Sequence, residues 1–283
     1  MTGYETETRF DILYAVHEGV ELLGDLYRPA GMHSAPVLVA AHGGAFQLGD
    51  RKLYQHWGPY LAQQGYAVFS IEYRLVKPGV KTWPGAVCDM KAAVQFVRAN
   101  AGELGLDPDR VGLIGDSAGA YLAAMVALAG EELLFADYDR QASQAAVSCK
   151  VKTVLGFYGI YDMLAQWEHD QITRPRDQLT EKFLGVPPMF SRKIFFEASP
   201  LSYVTVDRNN TKFLLIYGHE DDIVDPRSQS EKFLLALKQA GFFARTIVVP
   251  GAGHFWASEP LDEPGSFGPY VGPRLLRFLK ASL

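Results

Sequence analysis

The chain has 283 residues, 48% of them hydrophobic and 21% charged, and a formal net charge of −5. That is enough apolar material for a sizeable core, and acids and bases are mixed along the chain, which excludes the clustered Lys/Arg of a nucleic-acid or anionic-membrane surface. No stretch approaches the roughly 20 apolar residues of a membrane helix, and "MTGYETETRF" has no apolar leader.

In chain order, "RFDILYAV" and "VELLGDLYRP" read as adjacent strands joined by a hairpin at "HEGV". "PVLVAAHGG" is a continuous apolar run ending in glycines, as a buried strand would be. Residues 52–64 read as a helix closed by Gly65, and "YAVFSIEYRL" as a second buried strand. From Ala86 to Ala101 apolar residues recur at helical spacing, after which "LDPDR" predicts a turn into the strand "RVGLIG". An alanine-rich helix follows. "VKTVLGFYG", "KFLLIYG" and "ARTIVVPG" are later strands, with a helix over 227–240 and a closing amphipathic helix in "PRLLRFLKASL".

This alternation predicts an α/β fold: one domain over 1–283, with a mostly parallel central sheet flanked by helices. Residues 162–205, between two late core strands, are too long for a plain crossover and are expected to form a small cap or lid. They hold Trp167, Arg174 and Arg176 around Pro175, Pro187–Pro188, and Phe190, Phe195 and Phe196. The two cysteines, Cys88 and Cys149, lie in a helix and before a strand without metal-ligand spacing. They are expected to be reduced, in a cytoplasmic protein.

Gly115–Asp116–Ser117–Ala118–Gly119 fits G-x-S-x-G between a strand and a helix. A turn this tight needs glycine at both ends and lifts the serine hydroxyl above the sheet edge, beside the positive end of a helix. A serine needs a base before it can act as a nucleophile. Of seven histidines, His254 in "PGAGHFW" follows the last strand, where its loop reaches back over that edge. His17, His33, His56 and His169 fall in a hairpin, a surface turn, a helix and the cap, while His42 and His219 have other plausible roles. An acid must orient the imidazole, and "HEDDIVDP" after "KFLLIYG" offers Asp221, with Asp222 as the alternative. In "AAHGGAF", small residues let backbone N–H groups of Gly44 and Ala45 join that of Ala118 as donors to an oxyanion.

In this order the motifs resemble the α/β-hydrolase superfamily, and within it the esterases related to hormone-sensitive lipase. "HGGAF" resembles the H-G-G-G oxyanion motif, "EYRL" the D-Y-R-L strand end, "GDSAGA" the G-D-S-A-G-G elbow, and "GAGHFW" the histidine loop. "GHEDDIV" resembles G-x-x-D-x-x-V, which places the acid on Asp221. The compact layout is similar to acetyl- and feruloyl-esterase-like members. Ala45 departs from the third glycine of the motif, and the short N-terminus leaves 162–205 to supply most of the cover.

The resemblance implies a serine carboxylesterase acting through an acyl-enzyme, with Ser117, Asp221 and His254 catalytic and no cofactor or metal. A small-molecule ester would be its partner, with no nucleic acid or membrane, and the protein would be a monomer or homodimer. Phe46, Asp116, Trp167, Phe190 and Phe255 are expected to border the substrate. Amide hydrolysis, as in an arylformamidase, is the alternative reaction. A catalytically inactive ligand-binding relative is the alternative outside enzymes.

Overall fold

The apolar runs that lack polar alternation form the middle of a single sheet. The computed structural model describes residues 3–132 and 147–283; residues 1–2 and 133–146, which carry no expected site residue, lie outside it. Its strands are β1 (Thr6–His17), β2 (Val20–Pro29), β3 (Ala35–Ala41), β4 (Ala67–Ile71), β5 (Leu106–Asp116), β6 (Thr153–Phe157), β7 (Lys212–Tyr217) and β8 (Ala244–Val248). They lie in the order β1-β2-β4-β3-β5-β6-β7-β8. β2 runs antiparallel to β1 and β4, and every other neighbouring pair is parallel. β3, β4 and β6 are buried at every position, as strands covered on both faces must be. β1, at the edge, is half exposed.

The helices are α1 (Trp57–Gln63), α2 (Gly85–Ala99), α3 (Ala101–Leu104), α4 (Ala118–Ala129), α5 (Met163–Thr173), α6 (Leu179–Leu184), α7 (Arg192–Glu197), α8 (Lys232–Gln239) and α9 (Gly268–Ser282). Which face each one covers follows from strand alternation. Leu26 pairs with Phe69 and Tyr27 with Val68, so Phe69 and Tyr27 point to opposite faces. Phe69 stacks on Phe96 of α2, with ring centroids 5.8 Å apart. Tyr27 lies against Gly58 of α1 instead. α4 therefore sits beside α2 on one face, while α9 joins α1 on the other, its Gly272 packed on Tyr60.

Three boundaries differ from expectation for local reasons. The helix expected over 52–64 is split into a 3₁₀ turn, Arg51–Tyr54, and α1. Asp50 caps that turn by accepting from the Lys52 N–H at 2.7 Å. "LDPDR" lies inside β5, yet Leu106 pairs with Ala35 and Val111 with Val37, so 107–110 bulge out of the ladder. The Asp107 carboxylate holds this bulge by accepting from the Asp109 N–H at 2.9 Å and Arg110 Nε at 2.7 Å, which is the turn chemistry read from the sequence. The last helix starts at Gly268, ahead of Pro273, with Pro269 in the first turn, where a missing N–H costs nothing.

Residues 162–205 contribute α5, α6 and α7. Their apolar anchor is Phe183, buried and stacked on Phe46 at 3.8 Å, with Tyr121 edge-on at 5.5 Å and Trp83 at 6.1 Å. Phe195 is also buried, while Phe190 and Phe196 face solvent. Phe183→Ala is expected to lower the free energy of unfolding by about 3–5 kcal/mol, the range for deleting a buried aromatic ring. Urea denaturation would measure it.

Candidate active site

β3 leads into α1 on one face and β5 into α4 on the other, so their exit loops diverge at the carboxyl edge and open a crevice there. Ser117 stands in that crevice with φ 51° and ψ −115°, a conformation that L-residues adopt only under constraint. The constraint is visible on both sides. Ala41 pairs with Gly115 across β3 and β5, and a methyl on Gly119 would overlap the Ala41 carbonyl. A methyl on Gly115 would overlap the backbone of Gly119. Only glycine at both positions lets α4 start this close to the end of β3. The Ser117 N–H donates to the Phe157 carbonyl at 2.9 Å, which ties the corner to β6.

The loops after β7 and β8 are pressed together where Gly218 meets the Ala252 carbonyl. This brings two of the expected residues to Ser117. His254 Nδ1 lies 2.7 Å from Asp221 Oδ2, and His254 Nε2 lies 3.0 Å from Ser117 Oγ. An ionised carboxylate only accepts, so Nδ1 carries the proton, Nε2 is free to accept, and the serine hydroxyl donates to it. Asp221 Oδ1 accepts from the Ile223 and Val224 N–H groups at 3.0 and 2.9 Å. The Asp222 side chain is exposed. Of the two acids, it is Asp221 that meets the imidazole.

The imidazole is flanked by aromatic rings: Tyr158 at 4.4 Å and Phe255 edge-on at 4.6 Å. The Tyr158 hydroxyl accepts from the Ala257 N–H at 3.0 Å, and Trp57 Nε1 donates to the Ala257 carbonyl at 2.9 Å. The backbone of one residue just beyond His254, Ala257, is thus held through both its N–H and its carbonyl. Tyr158 and Trp57 carry no motif; only their meeting in the folded chain marks them.

Facing the serine corner, the loop after β3 turns through three left-handed residues, Gly44 (φ 117°), Ala45 (φ 56°) and Phe46 (φ 61°). Successive residues of this kind aim their N–H groups to one side, as anion-binding nests do. The N–H groups of Gly44, Ala45 and Ala118 are not used in hydrogen bonds among the described residues. His42 braces the loop base: Nδ1 donates to the Gly43 carbonyl at 2.6 Å, and the ring stacks on Tyr73 at 4.5 Å. The Tyr73 hydroxyl in turn donates to the His42 carbonyl at 2.9 Å.

Of the residues expected to border the substrate, only Phe255 contacts the histidine, and it is 62% exposed at the rim. Phe46 has no exposed surface, because the left-handed turn drives its ring inward onto Phe183 and Tyr121. Trp167 is half-buried and donates to Glu181 at 2.7 Å. Phe190 is 83% exposed. His17, expected only as a hairpin residue, is buried against Asp89 at 2.6 Å.

Asp116 is buried beneath Gly43 rather than open to a ligand. Burial pushes its carboxyl up to about 6, against the opposing pull of the Gly43 N–H and of His254. The folded state then keeps a proton that the unfolded chain releases, so stability falls as pH rises from about 4 to about 6. Asp116→Asn should flatten that slope, with the gap between variant and parent widening through the window to the order of 3 kcal/mol. Denaturant midpoints at several pH values would show it.

Among the described residues, no helix is long and apolar enough to cross a membrane. No group of three His, Cys, Asp or Glu there could hold a metal. The family model described as BD-FAE matches residues 24–237. Two Mycobacterium tuberculosis proteins are similar over most of the chain. Esterase LipC is 32% identical over 243 residues, covering 81% of this chain and 56% of LipC. Esterase LipQ is 30% identical over 246 residues, covering 83% of this chain and 54% of LipQ. The chain thus spans about half the length of these curated relatives. A truncated carbohydrate esterase from gut microbiota has the same fold, with a TM-score of 0.78 at 22% identity over 99% of this chain and 98% of that one. A thermophilic esterase from Thermogutta terrifontis matches with a TM-score of 0.72 at 22% identity, over 98% and 91% of the two chains. With the sheet order, the serine corner and a family match that runs from β2 into α8, the chain belongs to the BD-FAE family and has the α/β-hydrolase fold.

Proposed function

We propose that the chain is a serine hydrolase that cleaves carboxylic esters of small to medium size through an acyl-enzyme. The observation that carries this reading is the unbroken path from Ser117 Oγ through His254 to Asp221, facing three uncommitted N–H groups. Ser117 Oγ attacks the ester carbonyl as its proton passes to His254 Nε2. The imidazolium that forms is held by the Asp221 carboxylate. The negative charge on the former carbonyl oxygen is met by the N–H groups of Gly44, Ala45 and Ala118. Collapse of the intermediate breaks the ester C–O bond, and His254 returns the proton to the departing alkoxide. Water, deprotonated by His254, then releases the acid by the same steps in reverse.

The esterase relatives support an ester over an amide as the substrate. Phe255, exposed beside His254, gives the rim of the site an apolar side for an acyl or alkyl group. The mixed charge along the chain supports a protein without a nucleic-acid or anionic-membrane partner, and two reduced cysteines suit a cytoplasmic location.

Assays with p-nitrophenyl acetate, p-nitrophenyl octanoate, methyl ferulate and N-formylkynurenine test the reaction class. Ester turnover should dominate, and Ser117→Ala should lower kcat by roughly 10⁴-fold or more. Retained turnover in that variant, or a large kcat/KM advantage for the formyl amide, would overturn the reading. Gly44→Ala places a methyl against the Leu48 carbonyl, at a backbone angle suited to glycine. It should cut kcat by about 10²–10³-fold with KM little changed, the signature of a disturbed oxyanion site.

A further inference from the structure

The insert between β6 and β7 touches the triad acid through the backbone, and in a particular pattern. Asp221 Oδ1 is held by two N–H groups, those of Ile223 and Val224. Each belongs to a rigid peptide plane whose carbonyl lies at the opposite end. In the first plane, the Asp222 carbonyl accepts from His169 Nε2 at 2.9 Å. In the second, the Ile223 carbonyl accepts from Gln166 Nε2 at 2.9 Å and Arg174 Nη2 at 3.1 Å. Both peptides that grip the carboxylate are therefore gripped from behind by α5 and its C-terminal cap.

A fourth residue binds these donors together. Asp170 Oδ1 accepts from Gln166 Nε2 at 2.9 Å and from Arg174 Nη2 at 2.7 Å. Gln166 and Asp170 are fully buried. The insert is also tied at its start, where Gln229 Oε1 accepts from the Tyr161 and Asp162 N–H groups at 2.8 and 2.9 Å.

We infer that Gln166, Arg174 and His169 are positioning residues for Asp221, acting through the 222–223 and 223–224 peptides. Anchoring each carbonyl sets the plane of its peptide and hence the direction of the N–H. It also polarises the peptide, so that the N–H donates more strongly to the carboxylate. Arg174 extends the chain of dipoles from a cation at one end to the Asp221 anion at the other. Asp221 Oδ2 is thereby kept aligned on His254 Nδ1. Stability alone would not favour this cluster, since Gln166 Oε1, Asp170 Oδ2 and Arg174 Nε are buried without a hydrogen-bond partner among the described residues. Such groups cost stability, and apolar packing would avoid the cost.

This inference rests on the hydrolase reading, and a double-mutant cycle separates the two. The readout is the rate at which an aryl phosphonate labels Ser117, with kcat and KM for p-nitrophenyl acetate measured beside it. Gln166→Leu removes the donor at similar size. It should slow labelling by about 10–100-fold and lower kcat with KM within about twofold. In an Asp221→Ala background the same substitution should change the rate by less than about twofold, because the side chain that the two N–H groups hold is gone. Arg174→Met should behave in the same way and serves in the cycle if Gln166→Leu does not fold, while Arg174→Lys should recover part of the loss. Equal loss with and without Asp221, or no loss in the parent, would overturn the inference while leaving the hydrolase reading intact. An Asp221→Ala variant that labels at the parent rate would overturn both.

Discussion

The carbonyl of Ala41 and the α-carbon of Gly119 approach so closely that no side chain fits between them. That contact is the constraint on which the site depends. It holds the first turn of α4 against the last residue of β3 and obliges the chain between to reverse within a few bonds. Ser117 is left at φ 51°, a conformation that costs on the order of 1–3 kcal/mol and persists only because the surrounding sheet over-determines it. The pairing of Ala41 with Gly115 and the Ser117 N–H bond to Phe157 fix the corner from both neighbouring strands. With the hydroxyl placed this firmly, the loops after β3, β7 and β8 need only present their groups at set heights above the edge.

Those loops are in turn held by backbone contacts rather than by long side chains. Gly218 against Ala252 sets the spacing between the acid and histidine loops. Tyr158 and Trp57 hold the N–H and the carbonyl of Ala257 beyond His254. The loop after β3 is braced by His42 and Tyr73 and seated on Asp116. Burial raises the Asp116 carboxyl to about 6, so a group directly beside the proposed nucleophile adds pH-dependent cost to the folded state. The insert extends the same logic. Its α5 side chains reach carbonyls whose N–H partners already face Asp221, which describes a brace at least as well as a cover.

Much of this was legible in the chain. The continuous apolar runs marked the buried parallel strands, because a strand covered on both faces has no polar face to show. Gly115 and Gly119 could be read as necessary from the tightness of a strand-to-helix turn. The order of Ser117, Asp221 and His254 named the three residues that the fold brings within hydrogen-bonding distance. The side chains expected around the substrate were less legible. Phe46 follows the glycines of the loop after β3, but its left-handed backbone turns the ring into the core. Trp167 and Phe190 lie in the insert, where sequence position says nothing about which face of a short helix or loop meets the sheet edge.

By itself, then, the sequence determined the sheet, the corner and the identity of the groups that could carry a proton. These depend on local geometry and on periodicities that a few neighbouring residues express. Spacing from the strand left Asp221 and Asp222 both open, since they follow it one residue apart; the resemblance favoured Asp221, and the folded chain turns Asp221 to the imidazole. Tertiary structure alone placed Tyr158 beside His254, and Gln166, His169 and Arg174 behind the acid loop. Such choices are made by contacts between segments from about 30 to 100 residues apart, and no short-range pattern encodes them.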